Sequence, residues 1–241
     1  EWLDYNIYDE FNYIFADGSI KNKNEKIFKS VLKDNIKYIR YQPDHCYYDF
    51  YKKMYKAACE VDTKYVMISD NDDFINPKGI KDLLKYLRLN QNYKIATGHI
   101  ANVLKKNKLF RLLNFSNSLK TYENLSKKKI ISDHIFKTYR YVWYAIFEKD
   151  TFIKIWYQSK KLNITNISYQ ELFFTLYSFS ISDIKFLNTS HYTRRSNTVS
   201  NNASKNIFNN DKIKTDVDKI FRVISDNAEI ESKQFLSNLN N

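Results

Sequence analysis

The first hundred residues alternate short apolar runs with amphipathic stretches, and this alternation restricts the possible folds more than any other feature. Apolar runs of strand character lie at residues 13–16, 36–41, 65–69 and 94–97. Segments with helical spacing of apolar residues separate them, at residues 25–32, from Tyr47 onward and at 77–89. Strands that alternate with helices form βαβ units with parallel strands and right-handed crossovers. The pattern therefore predicts an α/β fold with a mainly parallel sheet flanked by helices.

One of these strands runs directly into three carboxylates. Asp70, Asp72 and Asp73 lie within four residues after the apolar run 65–69. Like charges this close raise one another's pKa unless a cation or hydrogen-bond donors compensate them. Hard oxygen ligands favour Mg²⁺ or Mn²⁺ over zinc, and open α/β sheets bind ligands at the carboxyl ends of their strands. The cluster indicates a divalent-metal site, with a solvated acidic turn as the alternative.

Composition narrows the class of protein. The chain has 241 residues, with 20 Tyr and 17 Phe but only 3 Gly, which is enough apolar material for a full core and too few glycines for a phosphate-binding glycine loop. It has no long uncharged apolar run and no signal-peptide pattern, so we expect a soluble, cytoplasmic protein. Cys46 and Cys59 form no CxxC pair and are expected to be buried thiols.

The net charge of +12 comes from 39 basic and 27 acidic residues. Such a surface suits polyanions, namely nucleic acid, anionic lipid headgroups or nucleotide diphosphates. The net charge alone does not show which of these is the partner. A nucleic-acid-binding module would group its basic residues on one face among aromatic residues. Here the lysines are spread over the predicted helix exteriors, so we expect no nucleic-acid partner.

The second half of the chain has a weaker pattern. Residues 101–139 indicate a loop-rich insertion, followed by a strand at 141–147, helices at 148–157 and 168–179, and a strand at 184–187. Residues 196–210 are typical of a linker. A final helix carries an apolar stripe of Ile213, Val217, Ile220, Phe221 and Ile224. We expect this stripe to pack on the rest of the protein, leaving at most weak peripheral contact with the inner face of a membrane.

Two motifs resemble a known family. FNYIFADGS at 11–19 resembles the strand ending in DGS of family 2 glycosyltransferases with the GT-A fold, and VDTKYVMISDNDDF at 61–74 is similar to their strand and DxD motif. The pattern is most similar to a group of poorly characterised bacterial glycosyltransferase-domain proteins with TpYV followed by DDDF. The resemblance covers about residues 11–200, including the later strand Tyr-Ala-Ile-Phe at 144–147.

The resemblance implies a domain organisation. Residues 1–100 would form the nucleotide-sugar-binding half with the DxD motif, residues 101–195 the acceptor-side half with its insertion, and residues 196–241 a linker and an amphipathic helix. Family members begin with a further strand and helix before the DGS strand. The start of this chain resembles the end of that helix. We therefore expect either that the sequence is a fragment of a longer protein, or that the sheet is built without its usual first strand.

The resemblance also assigns the donor site. Asp17 would contact the base or ribose of the nucleotide, while Asp72 would bind Mn²⁺ or Mg²⁺ and Asp70 the ribose, the metal or a metal-bound water. Asp73 would be a third ligand or would cap the turn. A cation that bridges the diphosphate offsets the charge that develops on the leaving group.

Further residues follow from the later motifs. Glu171 would take the proton from the acceptor hydroxyl; the family has a Glu-Asp pair here, whereas this chain has Gln170-Glu171. The macrodipole of the helix offers a purely structural reason for an acidic residue near its start. His191 would complete the metal shell, and Arg194 and Arg195 would grip the diphosphate; a basic surface turn is the alternative for all three.

The implied activity is a metal-dependent, inverting transfer of a sugar from a nucleotide donor, with a UDP-sugar as the first candidate, to a saccharide or lipid-linked acceptor in surface polysaccharide synthesis. Trp143, Tyr144 and Phe147 are candidates for an acceptor platform, although aromatic residues at strand spacing usually form core. A haloacid-dehalogenase-like phosphatase also has a strand ending in DxD. Its motif normally opens the chain and continues differently from Asp73-Phe74, which makes it the weaker alternative.

Overall fold

The computed structural model describes residues 6–21, 24–31, 33–106, 109–116, 125–136, 142–196 and 211–228. Eight strands lie within these ranges: β1 Tyr13–Asp17, β2 Ile36–Arg40, β3 Tyr65–Val66, β4 Phe74–Ile75, β5 Ile95–Lys106, β6 Leu109–Ser116, β7 Ile146–Glu148 and β8 Ile184–Ser196. The helices of the same ranges are α1 Asn24–Val31, α2 Tyr47–Cys59, α3 Pro77–Leu89, α4 Lys127–Phe136, α5 Lys149–Leu162, α6 Ile167–Ile181 and α7 Asp211–Ala228.

The strands form two sheets. β1 and β2 pair in parallel as a two-stranded sheet, whose carboxyl ends bring Asp17 opposite Arg40. The second sheet has the order β3-β7-β5-β8-β4, with β6 paired to β5. In this larger sheet β5 and β8 are parallel, and the other described pairs are antiparallel. The α/β class is confirmed, but the larger sheet is mixed where the alternation predicted mainly parallel strands.

Local chemistry explains why α3 forms where the sequence predicts it. Pro77 occupies the first turn, where its missing N–H costs no hydrogen bond. Asn76 is the N-cap, and its Oδ1 accepts from the backbone N–H of Lys78 at 3.2 Å. The amide of Asn76 also donates to the carbonyl of Ser190 at 2.8 Å. The start of α3 is thereby attached to β8, beside the carboxylate turn that precedes it.

Two glycines allow backbones to approach β8 closely. A Cβ added at Gly79 of α3 would lie 2.7 Å from His191 Cα, and one added at Gly98 of β5 would lie 3.2 Å from the carbonyl carbon of Thr189. Both separations are shorter than normal carbon contacts, so only glycine fits without displacement. The central part of β8 is therefore held between α3 and β5, and its side chains have fixed directions.

Aromatic side chains fill the core between the larger sheet and helices α5 and α6. Trp156 of α5 packs against Phe174 of α6 with ring centroids 5.4 Å apart, and Trp143 lies 4.8 Å from the same phenylalanine. Phe147 of β7 joins them at 5.4 Å. Trp143 and Phe147 are therefore core residues, as aromatic residues at strand spacing usually are, and they do not form an acceptor platform.

The segment 101–139 differs from its prediction. Its described residues include the second half of β5, all of β6 and helix α4, where a loop-rich insertion was expected. β5 and β6 form an antiparallel pair whose register shifts between Asn102 and Val103. Such a bulge interrupts the two-residue alternation by which strands are recognised. β5 also runs across residue 100, so the two halves expected from the sequence share one sheet.

Three smaller predictions are also corrected. β8 continues to Ser196, well past the strand predicted at 184–187, and β7 begins at Ile146, so residues 142–145 precede the strand. Cys46 and Cys59 are exposed, not buried, because they stand at the two ends of α2. The linker predicted at 196–210 falls outside the described residues from residue 197 onward.

The predicted C-terminal helix is confirmed as α7, and its apolar stripe packs inward. Ile220, Phe221 and Ile224 are buried, whereas the side chain of Ile213 lies outside the described part. Asp216 holds the helix in place, because its Oδ2 accepts from both the backbone N–H and the hydroxyl of Thr165 at 2.8 Å. Packing was the expected role of this stripe. Within the described ranges, no helix has the length and apolar content that crossing a bilayer requires.

Candidate functional site

The carboxylate turn lies between β3 and β4, the strands at the two opposite edges of the larger sheet. The turn is closed by a long backbone contact of 3.5 Å from the Asp73 N–H to the Asp70 carbonyl. Its three carboxylates have different surroundings: Asp70 is partly buried, Asp72 is half-exposed and Asp73 is only 2% exposed. The cluster is therefore not a uniformly solvated acidic turn.

Asp70 is held by two tyrosines from distant segments. The Tyr144 hydroxyl donates to Asp70 Oδ2 at 2.6 Å, and the Asp70 backbone N–H donates to the Tyr192 hydroxyl at 2.9 Å. Burial raises the pKa of the Asp70 carboxyl, the Tyr144 hydrogen bond lowers it, and the charge of Asp72 raises it again. Burial and the charge of Asp70 also raise the pKa of Tyr144, so its hydroxyl remains a proton donor at neutral pH.

Asp73 is engaged by the protein on both oxygens. Its Oδ2 accepts from the Tyr192 hydroxyl at 2.9 Å and its Oδ1 accepts from the Arg195 backbone N–H at 2.7 Å. Burial raises the pKa of Asp73 to about 6, although these two hydrogen bonds oppose the rise. Asp73 was expected to be a third metal ligand or to cap the turn, whereas the observed contacts of its carboxylate anchor the turn to β8.

Asp72 is the most accessible carboxylate of the turn. Arg195 Nη2 lies 3.9 Å from Asp72 Oδ2, at the outer limit of an ion pair. The side chain of Asp72 remains 39% exposed. Arg195 therefore stands beside the DxD motif, where the expected diphosphate would bind, and β8 supplies it as part of a strand and not as a surface turn.

Glu171 belongs to the same electrostatic neighbourhood. Burial raises the pKa of its carboxyl, the positive charge of Arg194 lowers it, and the negative charge of Asp70 raises it. Arg194 acts in the same way on Asp70, whose pKa it lowers. The structure thus brings the expected base, one expected phosphate-binding arginine and the first DxD aspartate into mutual electrostatic range, although the three lie far apart in sequence.

The position of Glu171 in its helix weakens the alternative explanation that this carboxylate only stabilises the start of the helix. α6 begins at Ile167 after the N-cap Asn166, so Glu171 is the fifth helical residue and lies beyond the first turn. The stabilisation of carboxylates by the macrodipole is concentrated in that first turn. Gln170 is not a substitute base, because it is fully buried and its Nε2 donates to Ser159 Oγ at 2.6 Å.

His191 lies inside the protein. It is fully buried, and its Nε2 is 2.9 Å from the carbonyl oxygen of Tyr144. Because a carbonyl oxygen can only accept, Nε2 carries the proton and is not a free metal-binding nitrogen. Burial lowers the pKa of His191 to about 4, which keeps the ring neutral at physiological pH. The observed contact favours a role in fixing the main chain at Tyr144 over the expected role as a metal ligand.

Asp17 lies at the carboxyl end of β1 and is engaged from several sides. Its Oδ1 accepts from the Ser19 N–H at 2.8 Å, and its Oδ2 accepts from Tyr38 at 2.5 Å and from Arg40 at 2.8 Å. Burial alone would raise the pKa of Asp17, but these hydrogen bonds outweigh it and lower the pKa to about 2. Asp17 is therefore ionised under all ordinary conditions. Its expected contact with the nucleotide stays a prediction.

A cavity of about 570 Å³ opens beside the start of α6. It is lined by Asp44, His45, Cys46, Tyr47, Phe50 and Ile167. Tyr47 is one of the exposed large side chains of the protein, and Ile167 is the first residue of the helix that carries Glu171. The cavity is also near β1, because the Asp44 N–H donates to the Gly18 carbonyl at 2.8 Å. Aromatic walls of this kind suit the apolar faces of sugar rings.

The predicted metal ligands are only partly brought together. In the described part of the chain, no three His, Cys, Asp or Glu side chains are arranged to hold one ion, so the set of Asp70, Asp72, Asp73 and His191 is not assembled as such. Asp70 and Asp72 still fit a divalent ion. Mg²⁺ commonly uses one or two carboxylates and takes its remaining oxygens from substrate phosphates and water.

Sequence reasoning missed the two tyrosines of this site. The strand spacing of Tyr144 predicts only a core or platform role, and no motif singles out Tyr192. Their hydroxyls contact the DxD turn across 74 residues for Tyr144 and 122 for Tyr192. No local pattern marks such contacts. The one available signal is position in the sequence: Tyr144 is the first residue of the segment 144–147, and Tyr192 directly follows His191.

Comparisons with known proteins agree with the fold. No family model and no curated protein matches the sequence. Among solved structures, S. aureus TarS 1–349 matches with a TM-score of 0.59 at 16% identity, over 97% of this chain and 62% of that one. The complex of TarS 1–349 with UDP-GlcNAc matches with a TM-score of 0.59 at 16% identity, over 97% of this chain and 63% of that one. The complex with UDP matches with a TM-score of 0.58 at 16% identity, over 97% of this chain and 62% of that one. This chain therefore spans less than two thirds of TarS 1–349 and shares its α/β fold.

Proposed function

We propose that the protein is a glycosyltransferase that uses a nucleotide-sugar donor. The observation that carries the proposal is that Asp70, Arg194 and Glu171 lie within electrostatic range of one another, in a fold shared with a protein whose structure contains UDP-GlcNAc. Group transfer from such a donor needs a base for the acceptor and positive charge for the leaving diphosphate. The site contains both kinds of side chain.

In the finer form of this proposal the enzyme depends on Mn²⁺ or Mg²⁺. Asp70 and Asp72 would hold the ion, which would supply positive charge to the phosphates of the donor. The guanidinium of Arg195 would bind the same diphosphate from the side of β8, because its Nη2 lies 3.9 Å from Asp72 Oδ2. Asp73 would not bind the ion, because its two oxygens already accept protein donors.

Glu171 would act as the base in an inverting transfer. Burial raises the pKa of its carboxyl, which makes the carboxylate a stronger proton acceptor than that of an exposed glutamate. Arg194 limits this rise and would keep the carboxylate ionised beside the negative charge of Asp70. An acceptor hydroxyl would reach Glu171 from the cavity at the start of α6, and the acceptor would be a saccharide or a lipid-linked saccharide.

The proposal is tested by the response of the purified protein to UDP and Mn²⁺. Ligands that bind the native state raise its melting temperature. We expect UDP with Mn²⁺ to raise the melting temperature by several degrees, and UDP with EDTA to have little effect. A panel of other nucleoside diphosphates reports the base preference. No shift with any nucleoside diphosphate, with or without metal, would contradict the proposed function.

A further inference from the structure

Tyr144 and Tyr192 form a stacked pair directly behind the DxD turn. Their ring centroids are 4.0 Å apart and their planes differ by 14°. Tyr144 lies in the segment before β7, and Tyr192 lies on β8. They are 4% and 0% exposed, so water does not compete for their hydroxyl groups. We refer to these two residues as the tyrosine pair.

The two hydroxyls of the pair contact the turn at three points. The Tyr144 hydroxyl donates to Asp70 Oδ2 at 2.6 Å. The Tyr192 hydroxyl accepts from the Asp70 N–H and donates to Asp73 Oδ2, both at 2.9 Å. The pair therefore fixes the main chain of Asp70, one oxygen of its side chain and one oxygen of Asp73.

The tyrosine pair is itself held in place. His191 Nε2 donates to the Tyr144 carbonyl at 2.9 Å, which fixes the main chain of Tyr144 against β8. Tyr192 is fixed by the pairing of β8 with β4, in which it lies opposite Ile75. Each ring also limits the movement of the other through the stack. The hydroxyl that contacts Asp70 thus has little freedom to move.

We propose that Tyr144 and Tyr192 are positioning residues that orient Asp70 for the metal and the nucleotide diphosphate. The inference rests on the proposed function. Tyr144 occupies Asp70 Oδ2, while Oδ1 accepts no hydrogen bond in the described part of the chain. The pair thereby selects which oxygen of Asp70 faces a ligand. Groups that orient a metal-binding carboxylate from behind commonly affect metal affinity by 10- to 100-fold.

The variants Tyr144→Phe and Tyr192→Phe test the role of the pair. Each keeps the stacked ring and removes only the hydroxyl, so the packing of the core is retained. Tyr51→Phe is the matched control, because Tyr51 is fully buried and its hydroxyl donates to the Ile164 carbonyl at 2.9 Å, away from the DxD turn. Calorimetry with UDP in the presence of Mn²⁺, and electron paramagnetic resonance of free Mn²⁺ without UDP, measure the two affinities.

We expect Tyr144→Phe to weaken Mn²⁺-dependent UDP binding about 10-fold or more, and Tyr192→Phe to weaken it in the same direction. Tyr51→Phe should retain wild-type affinity. Unchanged or tighter binding by Tyr144→Phe would overturn the inference, as would an equal loss in Tyr51→Phe. If Tyr144→Phe does not fold, Tyr192→Phe decides the matter in the same assay.

The wild-type result separates this inference from the proposed function. If wild-type protein binds no nucleoside diphosphate, the proposed function fails and the positioning role fails with it. If the wild type binds UDP with Mn²⁺ and the hydroxyl-deletion variants bind equally well, only the positioning role fails. A loss of affinity in these variants, with the control unaffected, supports both.

Discussion

Arg40 Nη1 lies 2.8 Å from Asp17 Oδ2, and this ion pair joins the carboxyl ends of β1 and β2. Arg40 also donates to Ser19 Oγ at 2.8 Å and to the Ser19 carbonyl at 2.5 Å. The DGS segment that resembles a nucleotide-binding motif is therefore an ordered turn in which Asp17 is the acceptor. Its stability can be measured independently of any ligand.

Replacing Asp17 with Asn should destabilise the protein at neutral pH. The folded-state pKa of about 2 lies below the ordinary value of 3.8, so the ionised carboxylate stabilises the fold above pH 3.8, and this contribution is lost as the pH falls through 2. The difference corresponds to about 2 kcal/mol. Urea unfolding at pH 7 and near pH 2 checks the sign, because the deficit of the variant should shrink at the lower pH.

Asp9→Asn is the control for that measurement. Asp9 also pairs with a lysine, Lys33, at 3.2 Å, but its side chain is 88% exposed. Exposed ion pairs contribute little to stability, so this variant should unfold like the wild type. Equal stability of Asp17→Asn and Asp9→Asn at pH 7 would show that the ion pair of Asp17 is not stabilising.

Replacing Asp72 with Asn should abolish Mn²⁺-dependent nucleotide binding and leave the fold intact. The side chain is 39% exposed and makes one long contact with Arg195, so little structure depends on it. The matched control is Asp62→Asn, an exposed aspartate before β3. Calorimetry with UDP and Mn²⁺ should show binding by the control alone. Wild-type affinity in Asp72→Asn would exclude Asp72 as a metal ligand.

Replacing Glu171 with Gln should lower turnover by about two to four orders of magnitude, because the proton acceptor is lost in the transition state. Donor affinity should remain nearly unchanged. Glu60→Gln, which alters an exposed glutamate paired with Lys37, is the control and should retain activity. A loss of donor affinity as large as the loss of turnover would instead make Glu171 a donor contact, and a covalent sugar on the chain would exclude simple inversion.

Replacing Arg194 with Gln should shift the acidic limb of the pH–activity profile. The positive charge of Arg194 lowers the pKa of Glu171, whereas burial and Asp70 raise it. Without that charge the pKa rises, so a higher pH is needed to ionise the base. The acidic limb of kcat/KM should therefore move to higher pH. An unmoved limb, whatever the absolute rate, would show that Arg194 does not act on Glu171.

Several parts of the fold could be read from local sequence. Helix α3 was predicted with its observed bounds, because Asn76 and Pro77 are strong signals for a helix start. The inward packing of α7 followed from its stripe and from the acidic residues that dilute its positive charge. β8 was predicted too short, because its polar second half pairs with β5 and β4 and this pairing leaves no mark in the local sequence.

The sequence by itself determined the α/β class and the residue types of the candidate site; the strand predicted at 65–69 ends at Val66, before the carboxylate turn. Only the tertiary structure decided how these residues divide their roles. It buries Asp73 and His191 in internal hydrogen bonds, leaves Asp72 accessible and places Tyr144 behind Asp70. The physical reason is that a carboxylate's role depends on its burial and on the donors that reach it, and these donors come from segments more than 70 residues away.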